Sequence, residues 1–222
     1  MSSTSGKNNV CAVIPFFNEC GTIRKITEET LKYVDHVIAV NDGSTDDSPA
    51  LIDDLNNLSI LNFDSNRGKG AALKRGFQES ISAGFDYCVT LDADFQHPPE
   101  YIPSFLEVLD HADAVIGSRM RDISRMPFQR ILSNKITSFL LSVKTGNKII
   151  DSQCGFRAYR TSALKEILPT FTGYEAESEM IVYAARRNFE IKFVYIPTIY
   201  GSEKSKMKPL EAISGFIKVL FI

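Results

Sequence analysis

Short apolar runs rich in β-branched residues recur along the chain at Val10–Phe16, His36–Val40, Ser59–Phe63, Tyr87–Leu91 and Ala114–Ile116. Runs of that length, bounded by turn residues, predict buried strands. Helix signals fall between most of them. Ser48-Pro49 starts one, Gly68 to Ala83 places apolar residues at helical spacing, and Pro98-Pro99-Glu100 opens another. Strand–helix alternation of this kind predicts an α/β fold with a mostly parallel central sheet and helices on both faces.

After Arg119 the pattern changes. A basic linker, Arg121–Arg130, leads into an amphipathic helix through about Val143, and a loop and strand follow around Asp151–Tyr159. Next come a helix around Glu177–Arg187, a long strand Phe189–Tyr200, a Lys-rich turn and an apolar stretch Pro209–Ile222. No repeat or separating linker is visible. The expected organisation is a flexible segment 1–9, one main domain 10–208, and a C-terminal apolar helix 209–222 suited to a membrane interface.

The 222 residues, 44% of them hydrophobic, suffice for one substantial core. Twenty-five basic and 27 acidic residues give a formal charge of −2, which supplies no global attraction to nucleic acid or an anionic membrane. Cys11, Cys20, Cys88 and Cys154 are scattered without CxxC spacing, as expected of reduced thiols. The polar start Met1 to Asn9 lacks the organisation of a signal peptide, and no interior run is long enough to span a bilayer. These features predict a cytoplasmic protein.

In open α/β sheets ligands bind beyond the carboxyl ends of the strands. Here those ends run into Pro15-Phe16-Phe17-Asn18-Glu19, Asn41-Asp42-Gly43-Ser44, Asp64 to Gly70, Asp92-Ala93-Asp94 and Gly117-Ser118-Arg119, so the polar motifs share one edge. Each motif has two readings. Asn41–Asp47 suits a turn and helix cap as well as a ligand. Arg67-Gly68-Lys69-Gly70 suits either a solvated turn or a phosphate at a helix N-terminus. Asp92 and Asp94, two apart at a strand end, are expected to share a side, where carboxylates repel unless a cation sits with them; the alternative is a pair of turn carboxylates capping the next helix. His97, beside two prolines, reads as a structural turn residue, with Gln96 favoured over it near a metal. Glu177 and Glu179 lie two apart at a helix start, so one of them is expected to point into the site and the other away.

Taken in order, Val13-Ile14-Pro15…Asn18-Glu19, Val40 to Ser44, Asn66 to Ala72, Leu91 to Glu100, Gly117-Ser118-Arg119, Asp151 to Arg157 and Tyr200…Lys204-Ser205-Lys206 resemble a family 2 glycosyltransferase with the GT-A fold. The likeness is greatest to dolichyl-phosphate mannose synthases and related polyprenyl-phosphate glycosyltransferases, and runs nearly the whole chain from Val10. The resemblance implies that Pro15, Asn18, Glu19, Asp42, Lys69, Asp92 and Ala93 line the nucleotide-sugar pocket. It assigns Mg²⁺ or Mn²⁺ to Asp94 and Gln96, and the acceptor lipid phosphate to Arg119, Arg130 and, more weakly, Ser133. The linker after Arg119 is short and lacks a glycine-rich run, and Ser-Gln-Cys precedes Gly155; both departures touch the acceptor side.

The implied reaction is inverting transfer of a mannose- or glucose-type sugar from a GDP- or UDP-sugar to a dolichyl or undecaprenyl phosphate. Asp92, Asp94, Arg119 and Arg130 would be its catalytic groups. A phosphate acceptor is already anionic and needs no strong base; a glycan hydroxyl acceptor would, with Glu177 or Glu179 as candidates. The rivals are a family 2 enzyme acting on a glycan or polysaccharide hydroxyl and a non-catalytic nucleotide-sugar-binding protein. A lipid acceptor requires access to the cytosolic face of a membrane. Phe128–Val143 and Leu210–Ile222, aided by Lys204, Lys206 and Lys208, offer surfaces for it, unless both segments pack on the core.

Overall fold

The computed structural model describes residues 9–124, 126–199 and 209–222. Tyr200, Lys204, Lys206 and Lys208 lie outside the described residues. Seven strands form one sheet: β1 (Val10–Phe16), β2 (His36–Asn41), β3 (Leu58–Asn62), β4 (Tyr87–Thr90), β5 (Ala114–Ser118), β6 (Arg157–Arg160) and β7 (Ile191–Tyr195). Their order is β3-β2-β1-β4-β6-β5-β7, and only β6 runs against the rest. The helices are α1 (Ile23–Thr30), α2 (Lys69–Ser82), α3 (Ile102–Leu109), α4 (Phe128–Thr145), α5 (Thr161–Leu164), α6 (Ala176–Arg186) and α7 (Pro209–Leu220).

The period of two within the buried strands decides which helix covers which face. Ala12, Ile14 and Phe16 of β1 join Ile23 and Ile26 of α1 and Phe105 of α3 in one core. Cys11 and Val13 face the other way, onto Leu73 and Phe77 of α2 and Met180 of α6. The expected sheet with both faces covered is therefore present, and the four cysteines are unpaired, three of them buried.

Several boundaries differ from the sequence pattern. Ser48-Pro49 starts only a short 3₁₀ turn, Pro49–Leu51, because Asp46 and Ser48 bond to each other instead of extending a helix. The long strand expected at 189–200 is the five-residue β7. Pro15 sits in a central strand, where proline normally breaks a ladder. The β1–β4 ladder has ended at Val13↔Thr90, so Pro15 has only Val40 of β2 beside it and removes no bond on the β4 side. The sheet thus parts between β1 and β4, the position at which successive strands begin to be added on opposite sides.

Reversed β6 is held by Arg157, which is 1% exposed. Its guanidinium donates to the carbonyls of Cys154 (2.8 Å), Ser152 (2.9 Å) and Glu177 (2.7 Å), joining the loop before β6 to the first turn of α6. Replacing it by methionine keeps bulk but strands three buried acceptors. Arg157→Met is expected to lower unfolding free energy by about 3–5 kcal/mol in urea titrations. A loss below about 1 kcal/mol would show that these carbonyls find other donors.

Candidate active site

The cleft where β1 and β4 part collects side chains from both halves of the chain. The β1 exit is pinned to the β2 exit: the Asn18 amide donates to Ser44 Oγ (3.0 Å), the Glu19 amide to Ser48 Oγ (2.8 Å), and Asn18 Oδ1 accepts from the Thr45 amide (2.8 Å). Asn18 takes φ 53°, a left-handed bend that asparagine tolerates. Asn41 closes its own turn by accepting the Ser44 amide (2.8 Å). Asn41–Asp47 therefore does the work of a turn, whatever else it touches.

Asp42 is buried, and its two oxygens accept the amides of Arg67 (2.7 Å) and Gly68 (2.9 Å). Burial raises its pKa, and those two donors work against the rise. The glycine-rich loop does not form an open phosphate cradle, since Asp42 takes the amides an anion would need and the Ala71 amide donates to Thr172 O (3.2 Å). Gly68, at φ 97°, is needed for contact: a Cβ there would lie 2.5 Å from Thr172 O.

Lys69, the first residue of α2, is the cationic centre of the site. Its Nζ lies 2.6 Å from Asp92 Oδ1 and 3.0 Å from Glu177 Oε2, and its side chain is 15% exposed. Burial alone would lower its pKa, but the two carboxylates outweigh that and raise it. Asp92 shows the reverse balance: burial raises it, Lys69 lowers it further, and it stays ionised. Gly155 backs onto the same carboxylate so closely that any Cβ would collide with Asp92 Oδ2.

Asp92 and Asp94 lie beyond β4, which stops at Thr90, so strand geometry is not what brings them together. A turn does. Asp94 Oδ1 accepts the Gln96 amide (3.0 Å), and Phe95 between them adopts φ 57°, a strained value for an aromatic residue. Lys25 of α1 sits 4.3 Å above the Phe95 ring. Burial and then the neighbouring Asp92 charge push the Asp94 pKa up to about 6. Two crowded carboxylates, one reluctant to ionise, are hard oxygen donors suited to Mg²⁺ or Mn²⁺. Among the described residues no three His, Cys, Asp or Glu side chains form a metal cage. Ala93 is buried between the pair, and Gln96 is half-buried.

Arg119 lies across the cleft. Its Nε and one terminal nitrogen each donate at 2.8 Å to the two oxygens of Asp151, and its amide adds a third bond at 3.0 Å. Asp151 is fully buried; burial raises its pKa and Arg119 lowers it further, to below the usual carboxylate value. The Arg119 charge also reaches Asp92 and His97. His97 is structural: it is buried, with Nδ1 3.3 Å from Pro197 O, and burial followed by Arg119 brings its pKa down to about 4. Arg130, half-buried, lies in the first turn of α4, and exposed Ser133 accepts Gln153 Nε2 at 3.0 Å.

The two glutamates separate. Glu177 faces Lys69, whereas Glu179, fully buried, accepts the amides of Thr170 (2.8 Å) and Phe171 (2.9 Å) and the Tyr183 hydroxyl (2.8 Å). Glu179 is thus spent on holding the 170–171 loop, because residues two apart on a helix diverge. Sequence reasoning missed Asp151 as the partner of Arg119 and Arg157 as the support beneath Glu177. An acidic residue and an arginine inside one short motif were the only signal.

A mostly parallel sheet with one reversed strand, an acidic cluster at its parting point and an arginine opposite define a GT-A-type nucleotide-sugar transferase scaffold. A crystal structure of glucosyl-3-phosphoglycerate synthase from Mycobacterium tuberculosis with Mn²⁺, UDP and phosphoglyceric acid superposes with a TM-score of 0.74 at 19% identity, over 97% of this chain and 79% of that one. The family profile of Glycosyl transferase family 2 matches residues 11–168, and the chain belongs to that family. It is 29% identical to the UDP-N-acetylglucosamine--dolichyl-phosphate N-acetylglucosaminyltransferase of Methanococcus voltae, over 92% of this chain and 90% of that protein. It is 30% identical to the undecaprenyl-phosphate 4-deoxy-4-formamido-L-arabinose transferase of Proteus mirabilis, over 92% of this chain and 65% of that one.

The Asp94 environment has a measurable consequence. A carboxyl whose folded pKa is about 6, against 3.8 unfolded, favours the fold when protonated and loses that contribution as pH rises from about 4 to 6. Above pH 6 the ionised Asp94 is a net cost. Asp94→Asn is expected to stabilise the protein in EDTA at pH 7.5 by about 1 kcal/mol, a figure discounted for partial solvent screening, with the gain gone at pH 4. Thermal melts at the two pH values check this; equal shifts at both would show that the carboxylate is not crowded.

Proposed function

We propose that this protein is an inverting transferase that moves a hexose from a nucleoside-diphosphate sugar to a polyprenyl phosphate at the surface of a membrane. The observation that carries this reading is α4, which is inside out. Asn134 and Ser138 point inward with Leu141, while Phe128 (75% exposed), Leu132, Ile136, Phe139 (65%) and Val143 form an apolar stripe on the opposite face. Ile213 and Ile217 of α7, which packs against α4, and Phe221 just past its end add a second stripe. Packing on the core does not explain these residues, and no helix among those described is long and apolar enough to cross a bilayer. Helices of this kind lie in a membrane interface, beside the Arg119 side of the cleft.

Asp94, with Gln96 and Asp92 near it, is the proposed seat of a divalent cation shared with the donor diphosphate, on which it acts as a Lewis acid when bound. Asn18, Glu19 and Asp42 frame the proposed nucleoside side, with Pro15 and Ala93 as its apolar walls. Lys69 holds the Asp92 and Glu177 side chains in a fixed place. Arg119 and Arg130, with Ser133, are the proposed acceptor-phosphate residues, since a guanidinium fork matches phosphate oxygens. The acceptor oxygen attacks the anomeric carbon, the bond to the diphosphate breaks, and the configuration inverts. Positioning and charge neutralisation supply most of the rate. A hydroxyl acceptor would need a base, but Glu177 is held by Lys69 and Glu179 faces away.

The substrates of those relatives support a polyprenyl phosphate acceptor and a nucleotide sugar, with a UDP-sugar the first donor to test. Incubation with a panel of UDP- and GDP-sugars, Mn²⁺ or Mg²⁺ and a short polyprenyl phosphate is expected to yield a lipid-linked sugar with one donor. EDTA and Asp94→Asn are each expected to reduce it at least about 100-fold. No lipid product across the panel would reject the acceptor class. For the membrane face, Ile136→Asp with Phe139→Asp is expected to cut co-flotation with phosphatidylglycerol-containing vesicles about tenfold while changing stability by no more than about 0.5 kcal/mol. Undiminished flotation would exclude α4 as the docking element.

A further inference from the structure

The inward face of α4 is polar, which is unusual for the buried side of a helix, and its hydrogen bonds run to the 149–152 segment, Asp151 among them. Asn134 Nδ2 donates to Asp151 Oδ1 at 2.8 Å, the same oxygen that accepts an Arg119 terminal nitrogen at 2.8 Å. Asn134 Oδ1 in turn accepts from Ser138 Oγ (2.9 Å), and Ser138 Oγ accepts the Ser152 amide (3.0 Å). Asn134 is 1% exposed and Asp151 is fully buried. Arg130 stands four residues before Asn134, one turn away on the same helix face.

We propose that Asp151 and Asn134 are positioning residues that lock the Arg119 guanidinium and the inner face of α4 into one unit, setting Arg119 and Arg130 relative to each other for a single acceptor phosphate. This rests on the reading that both arginines hold that phosphate. A bidentate pair fixes the plane of the guanidinium. A helix seated only by apolar contacts slides or turns at little cost, whereas one whose buried amide must meet a buried carboxylate has a single register. Asn134 therefore fixes the seat of α4, and Arg130 with it, relative to the Arg119–Asp151 pair. Removing it leaves Arg119 paired and Ser138 still bonded to Ser152, but breaks the bond that ties α4 to the Asp151 carboxylate.

The test is steady-state transfer by the full chain from the active nucleotide sugar to a short polyprenyl phosphate, with KM measured separately for donor and acceptor. Arg119→Ala and Arg130→Ala come first. If neither raises the acceptor KM, the phosphate reading itself fails, and the proposal with it. If they do, Asn134→Ala is expected to raise the acceptor KM about tenfold with donor KM within twofold of the parent, because misplacement penalises the group that must be aimed. In the Arg130→Ala background, Asn134→Ala is expected to add less than threefold, since its effect runs through that arginine. Asp151→Asn provides the second variant and is expected to shift the acceptor KM in the same direction. An unchanged acceptor KM in Asn134→Ala, a parallel rise in both KM values, or full additivity with Arg130→Ala would overturn the clasp while leaving the phosphate reading intact. Because Asn134→Ala leaves the Arg119–Asp151 pair in place, it keeps the test available if Asp151→Asn does not fold.

Discussion

The site depends on one ammonium group placed between two carboxylates. Asp92 arrives at the end of β4 and Glu177 at the start of α6, from parts of the chain separated by most of the second half of the fold, and both are drawn to Lys69 at the head of α2. Without that cation the acids beyond β4 would repel and protonate; with it, Asp92 stays charged and the strain of crowding passes to Asp94. The arrangement concentrates an electrostatic demand at one carboxyl.

Much of the frame supporting this arrangement is written locally. The five apolar runs in the first half became β1 to β5 with ends displaced by no more than two residues, because a buried parallel strand needs continuous apolar sequence and little else. The convergence of motifs on one edge followed from that alone. The exceptions are instructive. Asp92 and Asp94 were expected to share a strand face, but β4 stops at Thr90 and a turn followed by a left-handed Phe95 takes over, and no periodicity announces a backbone forced into that conformation. The glycine-rich loop looked open to phosphate because sequence cannot show that Asp42, 25 residues upstream of Arg67, already occupies its amides.

The second half was less legible for a different reason. The amphipathic pattern of α4 shows that one face is apolar and the other polar, but not which faces in; the usual rule points the apolar side to the core. Here a cluster of Asn, Ser and Asp side chains reverses the rule, and the contacts of Asn134 with Asp151 and of Ser138 with Ser152 reveal it. Likewise, Arg119 is one charged residue among many until its bidentate partner is seen, 32 residues away. Long-range polar pairing leaves no trace in spacing, which is why the Arg119 side of the cleft was the harder half to read.

The reversed strand has a consequence for how the molecule is made. β6 is inserted between β4 and β5, so the sheet cannot close in chain order. While the chain emerges, β3-β2-β1-β4 can assemble early, but β4 keeps an unpaired edge until residues 157–160 arrive. Such an edge is a template for wrong partners, and its late, non-local capping is the slow kind of contact. The strand that completes this edge also brings the buried Arg157 and, just before it, the loop that carries Asp151. The step that removes the aggregation hazard is thus the same step that assembles the far side of the cleft, and a chain stalled before it would be both sticky and inactive.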